Sequence, residues 1–418
     1  MQDLIAWKQD KNRKPLILQG ARQVGKTWIM QEFGKTQYQE YVYFNFDEEA
    51  ELRSIFQTSK DPFRIVDLLG MISGKKILPE TTLILFDEIQ ECPEALNALK
   101  YFQERAGEYQ IIAAGSLLGT LLASPKSYPV GKVNLLPVYP MTFDEFLEAA
   151  DPDLSAYYQQ IQKDQVIEGI FHNRLLEMYD QYLIIGGMPE CVASWASEKN
   201  AAKVETIQHE LVTIYENDFS KHNGKVNSGR IVSQLAKENE KFMYGAIRSG
   251  ARAREFEEAI EWLVSAGILN RVYNISKPEH PLAAFDRMDC FKLFLFDTGL
   301  LKHMAGIDNG AILLNLKYQF KGPLAENYVL QQLKGKSRLD LRYYAVRGQE
   351  IDFVLQHGAE IIPIEVKGGE DKSAASFKKY IRERQPEAAI RLSRMEYMKN
   401  GAITNLPLYL APRLLEFL

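Results

Sequence analysis

The chain has 418 residues, which is longer than one hydrophobic core usually grows, so we expect two or three domains. With 46% hydrophobic and 25% charged residues, the composition excludes a disordered chain and is typical of globular proteins. The formal net charge of −5 excludes a surface that is basic all over, so any contact with nucleic acid requires a local basic patch.

The three cysteines, Cys92, Cys191 and Cys290, lie far apart and have no spacing typical of zinc ligands. This usage predicts neither a disulfide nor a zinc site, and it suits a reducing compartment. Residues 1–14 are too polar for a secretory signal, and no apolar run reaches the roughly 18–20 residues that span a bilayer. We therefore expect a cytoplasmic protein that does not contact a membrane.

A short buried strand is predicted over residues 15–19. The next eight residues, GARQVGKT, match the pattern G-x-x-x-x-G-K-[ST], and a helix is predicted to follow as far as about residue 33. Glycines in such a loop let backbone N–H groups point at phosphate oxygens, and the helix N-terminus adds partial positive charge. Lys26 is predicted to neutralise the β- and γ-phosphates, and Thr27 to hold Mg²⁺. The predicted nucleotide-binding residues of this segment are Gly20, Ala21, Arg22, Gln23, Val24, Gly25, Lys26, Thr27 and Trp28.

The segment TLILFDEIQ, residues 82–90, predicts a second buried strand with Asp87 and Glu88 at its carboxyl end, where open parallel sheets bind ligands. Asp87 is predicted to reach the Mg²⁺ shell and Glu88 to polarise the attacking water, so we expect hydrolysis rather than binding alone. A third strand, over residues 109–116, ends at Ser116, which either senses the γ-phosphate or caps the next helix. Strands that alternate with helices predict a doubly wound, parallel α/β sheet.

Together with IIAAGSLLG and LLPVYPMTFDEFL further along, these segments resemble the prokaryotic AAA-type P-loop ATPases that carry a C-terminal domain of unknown function. The resemblance covers nearly the whole chain. Family members usually have Gly-Arg where this chain has Gly131 and Lys132. The resemblance implies Walker A residues, a Walker B pair and a sensor, which are Gly20, Gly25, Lys26 and Thr27, then Asp87 and Glu88, then Ser116.

The middle of the chain, residues 151–310, is predicted to be helical and winged-helix-like. YLIIGGMPECV predicts a turn at Gly186 and Gly187, either as a packing corner or as a loop that reports the nucleotide state. The helical pattern REFEEAIEWLVSAGIL and the strand after it resemble a winged helix-turn-helix. Nearby arginines suit phosphates, whereas the acidic residues of the helix would repel a duplex, so recognition of DNA by this helix stays an open alternative.

The C-terminal part combines one acidic helix position with two alternating strands. Glu326 shares a helical face with apolar residues, and a carboxylate on such a face needs a partner, for which a metal is a candidate. Alternation over residues 350–355 places Asp352 on one face of a strand, and the following strand presents Glu365 and Lys367 together. A hairpin between the strands sets Asp352 beside Glu365, which predicts an Mg²⁺ site with a cation next to it.

This order of residues resembles the PD-(D/E)XK nuclease fold, an α+β domain. The resemblance implies metal ligands at Glu326, Asp352 and Glu365, and catalytic roles for Asp352, Glu365 and Lys367. Three interpretations stay open for this region: an active nuclease, an inactive nuclease-like module, and surface strands that only imitate the motif.

The sequence thus predicts an ATPase domain over residues 1–150, the helical and winged-helix-like region over 151–310, and a nuclease-like domain over 311–418. The predicted function is Mg²⁺-dependent ATP binding and hydrolysis, with Lys26 and Glu88 as catalytic residues. The nucleotide state is expected to drive or gate the nuclease-like module on DNA or RNA. The alternative is an ATP-dependent switch or scaffold whose inactive nuclease-like domain binds DNA or a protein partner.

Overall fold

A computed structural model describes residues 1–49, 51–115, 131–222, 253–316, 320–346, 348–369 and 375–418. The chain divides into two compact units. The first unit is Met1–Tyr139 with Ser265–Gly267, and the second unit is Pro140–Val264 with Ile268–Leu418. The sequence analysis divides the chain into three domains, with boundaries at residues 150 and 310. This finer division stays a prediction.

The first unit is built on a parallel sheet of five strands in the order β2-β3-β4-β1-β5. In the described residues of this unit, one α-helix precedes the first strand, and four α-helices and one 3₁₀ helix, Ile89–Glu91, lie between strands. The strands are β1 Leu16–Gln19, β2 Glu40–Asn45, β3 Thr82–Asp87, β4 Gln110–Gly115 and β5 Asn134–Pro137. The helices are α1 Gln2–Gln9, α2 Lys26–Gln37, α3 Leu52–Thr58, α4 Pro62–Ser73 and α5 Pro93–Arg105.

Both faces of this sheet are covered, which explains why its central strands are apolar throughout. In β3, Ile84 and Phe86 pack into a core cluster on one face, and Leu83 and Leu85 pack into a second cluster on the other. Strands buried on both sides are typical of parallel sheets flanked by helices. The predicted mixed α/β fold with an N-terminal parallel sheet is therefore confirmed.

The second unit begins with a group of helices. A tight turn joins two of them at Gly186, where φ is +78°. A Cβ atom added at Gly187 would lie inside van der Waals contact of the carbonyl oxygen of Met141, so the turn packs too closely for a side chain. The helices of this unit are α6 Phe143–Ala150, α7 Pro152–Gln160, α8 Gly169–Ile185, α9 Pro189–Glu198, α10 Ala201–His222, α11 Ala253–Ser265, α12 Thr298–Met304, α13 Asn309–Leu313, α14 Lys321–Ser337 and α15 Ala375–Arg384, with 3₁₀ helices at Leu282–Phe285 and Leu408–Phe417.

An eight-stranded mixed sheet forms the rest of this unit, in the order β12-β13-β11-β10-β9-β8-β6-β7. The antiparallel hairpin predicted between the two alternating strands is present as β9 and β10, and Gly358 in its turn has a φ of +63°. β10 pairs in parallel with β11, after the crossover through α15. The strands are β6 Leu269–Ile275, β7 Asp286–Leu295, β8 Arg342–Val346, β9 Gln349–His357, β10 Glu360–Val366, β11 Ala389–Ser393, β12 Met398–Asn400 and β13 Ile403–Pro407.

The predicted winged helix-turn-helix is described only in part. It is predicted between Gly229 and Ile275, and its first half, residues 229–252, lies outside the described residues, whereas α11 and the strand after it, β6, are present. β6 pairs with β7 and with β8, so it is part of the eight-stranded sheet. Within the described ranges, no helix is long and apolar enough to cross a membrane.

Candidate functional site

The glycine loop connects β1 to the start of α2. Gly25 has a φ of +88° and Gln23 a φ of +60°, so the backbone turns through left-handed conformations just before the helix begins at Lys26. At Gly20, an added Cβ would overlap the carbonyl oxygen of Val138. The conformation of this loop thus depends on glycine at both positions of the pattern.

Lys26 lies inside this loop with only 7% of its surface exposed. Its Nζ donates hydrogen bonds to the carbonyl oxygens of Gly20 at 3.0 Å and Ala21 at 2.7 Å. Burial lowers the pKa of Lys26 to about 8, although the carboxylates of Glu88 and Asp87 oppose this shift. The loop therefore holds a cation close to its own backbone and close to two acids.

Asp87 is buried at the end of β3, and three donors bind its carboxylate. Thr27 donates from Oγ1 to Oδ2 at 2.6 Å, and the Tyr43 hydroxyl donates to the same oxygen at 3.0 Å. The backbone N–H of Glu88 donates to Oδ1 at 3.0 Å. The structure thus joins the last residue of the glycine loop to the first acid of the predicted pair.

Tyr43 is the residue of this site that sequence reasoning missed. Burial, reinforced by the Asp87 carboxylate, raises the pKa of Tyr43, so its hydroxyl stays protonated and donates. Tyr43 pairs with Leu85 in the register of β2 and β3, and Leu85 lies on the same strand face as Asp87. The sequence signal for Tyr43 is weak, because the contact with Asp87 can be inferred only once β2 is known to be the neighbour of β3.

Glu88 has a backbone conformation that non-glycine residues rarely adopt, with φ 47° and ψ 45°. Such a conformation costs on the order of 1–3 kcal/mol and is common at functional sites. The side chain is half-buried and accepts a hydrogen bond from the Gln90 amide. The chain therefore keeps a strained acid immediately after Asp87, at the carboxyl end of the sheet.

The remaining predicted nucleotide residues lie at or near the loop. Val24 is buried, Arg22 belongs to the loop, and Trp28 in the first turn of α2 is 66% exposed. Ser116 lies outside the described residues. Lys132 places its Nζ 3.1 Å from Glu104 Oε1.

In the second unit, four acids lie close together beside two lysines, Lys292 and Lys367. We call Glu326, Glu350, Asp352 and Glu365 the acid cluster; Glu326 belongs to α14, Glu350 and Asp352 to β9, and Glu365 to β10. Asp352 Oδ2 accepts a hydrogen bond from the backbone N–H of Val366 at 2.7 Å, which ties β9 to the end of β10. The predicted approach of Asp352 to β10 is thus present.

Lys292, on β7, is the lysine inside the acid cluster, and its side chain is 2% exposed. Its Nζ lies 2.7 Å from Glu350 Oε1, 3.6 Å from Glu326 Oε2, and 5.1 Å from the centre of the Tyr343 ring. Burial alone lowers the pKa of Lys292, but the carboxylates of Glu326, Glu350 and Asp352 together raise it above its ordinary value. The ammonium group is therefore charged and held from several sides.

The second cation is Lys367, as predicted, and its Nζ lies 2.7 Å from Glu365 Oε1. Burial raises the pKa of Glu326 to about 8 and that of Glu365 to about 7, and it raises the pKa of Asp352 as well. Among the residues that the structure describes, no three His, Cys, Asp or Glu side chains form an arrangement that could hold a metal ion.

Sequence reasoning located Glu326, Asp352, Glu365 and Lys367 but missed Lys292. The sequence does contain a signal, because Lys292 is the single charged residue in the apolar run CFKLFLF. A lysine in a buried strand needs an anionic partner. Glu326 likewise needs a partner, because it lies on the apolar face of α14. The two residues form an ion pair with each other.

Family comparisons support the assignment of the first unit. Residues 12–147 match a family described as an AAA domain. Residues 176–311 and 321–409 match two families that are each described as a domain of unknown function, DUF8612 and DUF4143. With the parallel sheet and the glycine loop, the first match identifies an AAA-type P-loop ATPase domain in the N-terminal third. No curated protein matches this sequence.

Several solved structures are similar to this chain. The Walker-type ATPase PABY2304 of Pyrococcus abyssi is 14% identical, covers 72% of this chain and 93% of its own, and has a TM-score of 0.45. The RuvB Holliday junction branch migration motor of Thermotoga maritima is 14% identical, with 64% and 85% covered and a TM-score of 0.28. Cdc6p of Pyrobaculum aerophilum is 12% identical, with 75% and 92% covered and a TM-score of 0.26.

Proposed function

We propose that the first unit binds Mg²⁺-ATP and hydrolyses it. The observation that carries this proposal is the 2.6 Å hydrogen bond between Thr27 and Asp87, next to a buried lysine in a glycine loop. A loop that supplies N–H donors, a lysine and a hydroxyl beside a strand-end carboxylate is the set of groups that phosphoryl transfer uses. The match of residues 12–147 to an AAA domain supports the same function.

The residues of this site have different roles in hydrolysis. Loop N–H groups and Lys26 bind the β- and γ-phosphates, for which Lys26 exchanges its carbonyl partners for phosphate oxygens. Glu88 orients a water molecule and takes up its proton as the water oxygen attacks the γ-phosphorus, while the bond to the β–γ bridging oxygen breaks and ADP leaves. Ser116 is proposed as the γ-phosphate sensor.

The side chains also fit a magnesium ion. Mg²⁺ prefers hard oxygen ligands, and the Thr27 hydroxyl and the Asp87 carboxylate already lie within hydrogen-bond distance of each other. When bound, Mg²⁺ neutralises the phosphate charge that develops during transfer. Thr27 would hold it directly, Asp87 would reach it through the inner or outer shell, and Tyr43 would keep Asp87 in place.

Two substitutions test this proposal separately for binding and for chemistry. Lys26→Ala is expected to abolish binding of a fluorescent ATP analogue, whereas Glu88→Gln is expected to retain binding and lose at least about 100-fold in turnover. Lys76→Ala and Glu108→Gln, at exposed positions of the same unit, serve as matched controls. Wild-type protein that binds no adenine nucleotide would refute the proposal.

We further propose that the nucleotide state drives or gates a nuclease-like module in the second unit, acting on nucleic acid. The order α14, β8, β9, β10, α15, β11, with β10 parallel to β11, is the order expected of a PD-(D/E)XK core. Glu326, Asp352, Glu365 and Lys367 stand on the elements where that motif has its helix acid, strand acid and E-x-K. DNA and RNA are the proposed substrates, and a protein is the proposed alternative partner.

A second candidate function, binding without cleavage, is favoured by Lys292. The donor set that would have to hold Mg²⁺ in the acid cluster is already engaged by protein cations and by a backbone N–H. These residues therefore do not fit a divalent ion as they stand, and we derive no cleavage step through one. An ATP-dependent switch with a nuclease-like binding domain is the form of the proposal that this geometry supports.

Incubation of the full chain with plasmid DNA or RNA and Mg²⁺ separates the two forms. Cleavage that Asp352→Ala removes would establish a nuclease, and its additional loss in Lys26→Ala would establish gating by nucleotide. No cleavage, together with ATP turnover that rises on addition of nucleic acid, would establish a nucleic-acid switch. If nucleic acid is not cleaved and does not change the rate of ATP turnover, a protein is the partner that the proposal retains.

A further inference from the structure

We propose that the ammonium group of Lys292 takes the place of a divalent cation in the acid cluster, so that this site works without metal. The inference rests on the proposed nuclease-like module and specifies its chemistry. A lysine from β7, outside the helix, hairpin and E-x-K segments, supplies the positive charge that those segments otherwise take from a metal ion.

Each candidate metal ligand already has a donor from the protein. Glu326 Oε2 faces Lys292 Nζ at 3.6 Å, and Glu365 Oε1 faces Lys367 Nζ at 2.7 Å. Asp352 Oδ2 accepts the N–H of Val366 at 2.7 Å. The acids point at these donors, and within the described part of the chain no three of them meet in an arrangement for a common ion.

Lys292 is held in the acid cluster by burial and by its contacts, because its side chain is only 2% exposed and pairs with Glu326 and Glu350. The Tyr343 ring lies under the ammonium group at 5.1 Å, a distance typical of a cation–π contact. A divalent ion that entered here would meet a fixed positive charge a few ångströms away, and charge repulsion is strong where solvent is excluded.

The position of Lys292 also gives a role to Glu350, an acid that the nuclease motif does not require. Glu350 makes the closer of the two ion pairs, at 2.7 Å, although the predicted motif assigns it no role. Together Glu350 and Glu326 hold the ammonium group between β9 and α14. Removal of Lys292 would release Glu326 and Glu350 from their ion pairs. These carboxylates would then be free to turn toward Asp352 and supply the oxygen ligands that Mn²⁺ or Mg²⁺ prefers.

Electron paramagnetic resonance of Mn²⁺ tests this inference in the nucleotide-free chain of 418 residues. Asp352→Asn reports whether a bound ion belongs to the acid cluster, because any ion retained in that variant lies elsewhere. Lys292→Met should bind one more Mn²⁺ per chain than the wild type, and Lys292→Met with Asp352→Asn should lose it. Lys302→Met, a second buried lysine that pairs with an acid in this unit, is the matched control and should gain no ion.

The inference would be overturned if the wild-type protein binds a Mn²⁺ ion that Asp352→Asn does not bind. It would also be overturned if the Lys292→Met variant folds but binds no additional ion. Lys292→Gln replaces Lys292→Met if the latter does not fold. If neither variant folds, the comparison of wild type with Asp352→Asn decides, and equal Mn²⁺ binding supports the inference. ATP turnover in the same preparations keeps the outcomes distinct, because a metal found in the wild-type cluster leaves the ATPase proposal intact.

Discussion

At the scale of single residues, Tyr43 holds the Asp87 carboxylate from the neighbouring strand, at 3.0 Å. Tyr43→Phe removes one of the three donors that hold the Asp87 carboxylate, so the carboxylate is less firmly oriented, without a large change in packing. Because groups that orient a metal ligand typically contribute about tenfold or more to metal affinity, the Mg²⁺ concentration for half-maximal ATP turnover should rise by about that factor. A magnesium titration of ATP turnover measures the change.

Tyr41→Phe is the matched control for Tyr43→Phe, because Tyr41 lies on the same face of β2 and packs in the same cluster. It should leave the magnesium requirement unchanged. An equal shift in both variants would mean that the effect comes from altered packing rather than from the hydrogen bond to Asp87.

At the scale of secondary-structure elements, the buried Asp297 joins three parts of the second unit. It caps α12 through the N–H of Leu300 at 2.9 Å, and it accepts from the N–H of Gly187 at 2.7 Å and from the Gln331 amide at 3.1 Å. Asp297→Asn places an amide NH₂ against these donors, which should lower the free energy of unfolding by about 2–3 kcal/mol. Urea denaturation measures the loss.

Asp308→Asn is the control for Asp297→Asn, because Asp308 caps α13 in the same way but from an exposed position. Asparagine is also a good N-cap, so this variant should lose no more than about 0.5 kcal/mol. Similar losses in the two variants would show that helix capping, and not the buried junction, accounts for the effect.

A second contact between elements should depend on pH. His172 on α8 is buried, with Nδ1 2.9 Å from the Tyr409 hydroxyl and Nε2 3.1 Å from the carbonyl oxygen of Arg394. Burial lowers the pKa of His172 below its ordinary value. As the pH falls below about 6.5, the unfolded chain therefore takes up this proton before the folded chain does, and stability falls.

The variant His172→Gln should remove this part of the pH dependence. Between pH 7.5 and pH 5.5, values chosen to bracket the ordinary histidine pKa of about 6.5, the urea midpoint of the wild type should fall more than that of the variant. His357→Gln, at an exposed position, should follow the wild type. A steeper fall in His172→Gln would contradict the sign of this argument.

At the scale of the whole molecule, the proposed gating predicts a response in the second unit as well as in the nucleotide-binding unit. A magnesium complex of a slowly hydrolysed ATP analogue at about 100 times its Kd should stabilise the first unit by about 2.7 kcal/mol. Hydrogen exchange should slow in β1, α2 and β3, and chelation of Mg²⁺ should reverse this. If the nucleotide state acts on the second unit, exchange in α14 and β9 should change too, and Lys26→Ala should abolish both responses.

The sequence was most informative for features that depend on residues close together along the chain. The glycine loop, the buried strand before Asp87 and the hairpin of β9 and β10 are local patterns, so each was predicted close to its observed bounds. The contacts of Tyr43 with Asp87 and of Lys292 with Glu350 join residues 44 and 58 positions apart, and they depend on which strands are neighbours. A single sequence does not specify that order, because tertiary packing selects it.

The position of β6 has a consequence for fragments of this protein. β6 lies between β7 and β8, so the regions that match two separate families of unknown function contribute strands to one sheet. A truncation between residues 311 and 321 would leave β6 in one fragment and β8 in the other, each with an unpaired row of backbone groups. Exposed edges of this kind promote aggregation, so neither half should be expressed as a soluble, independent product.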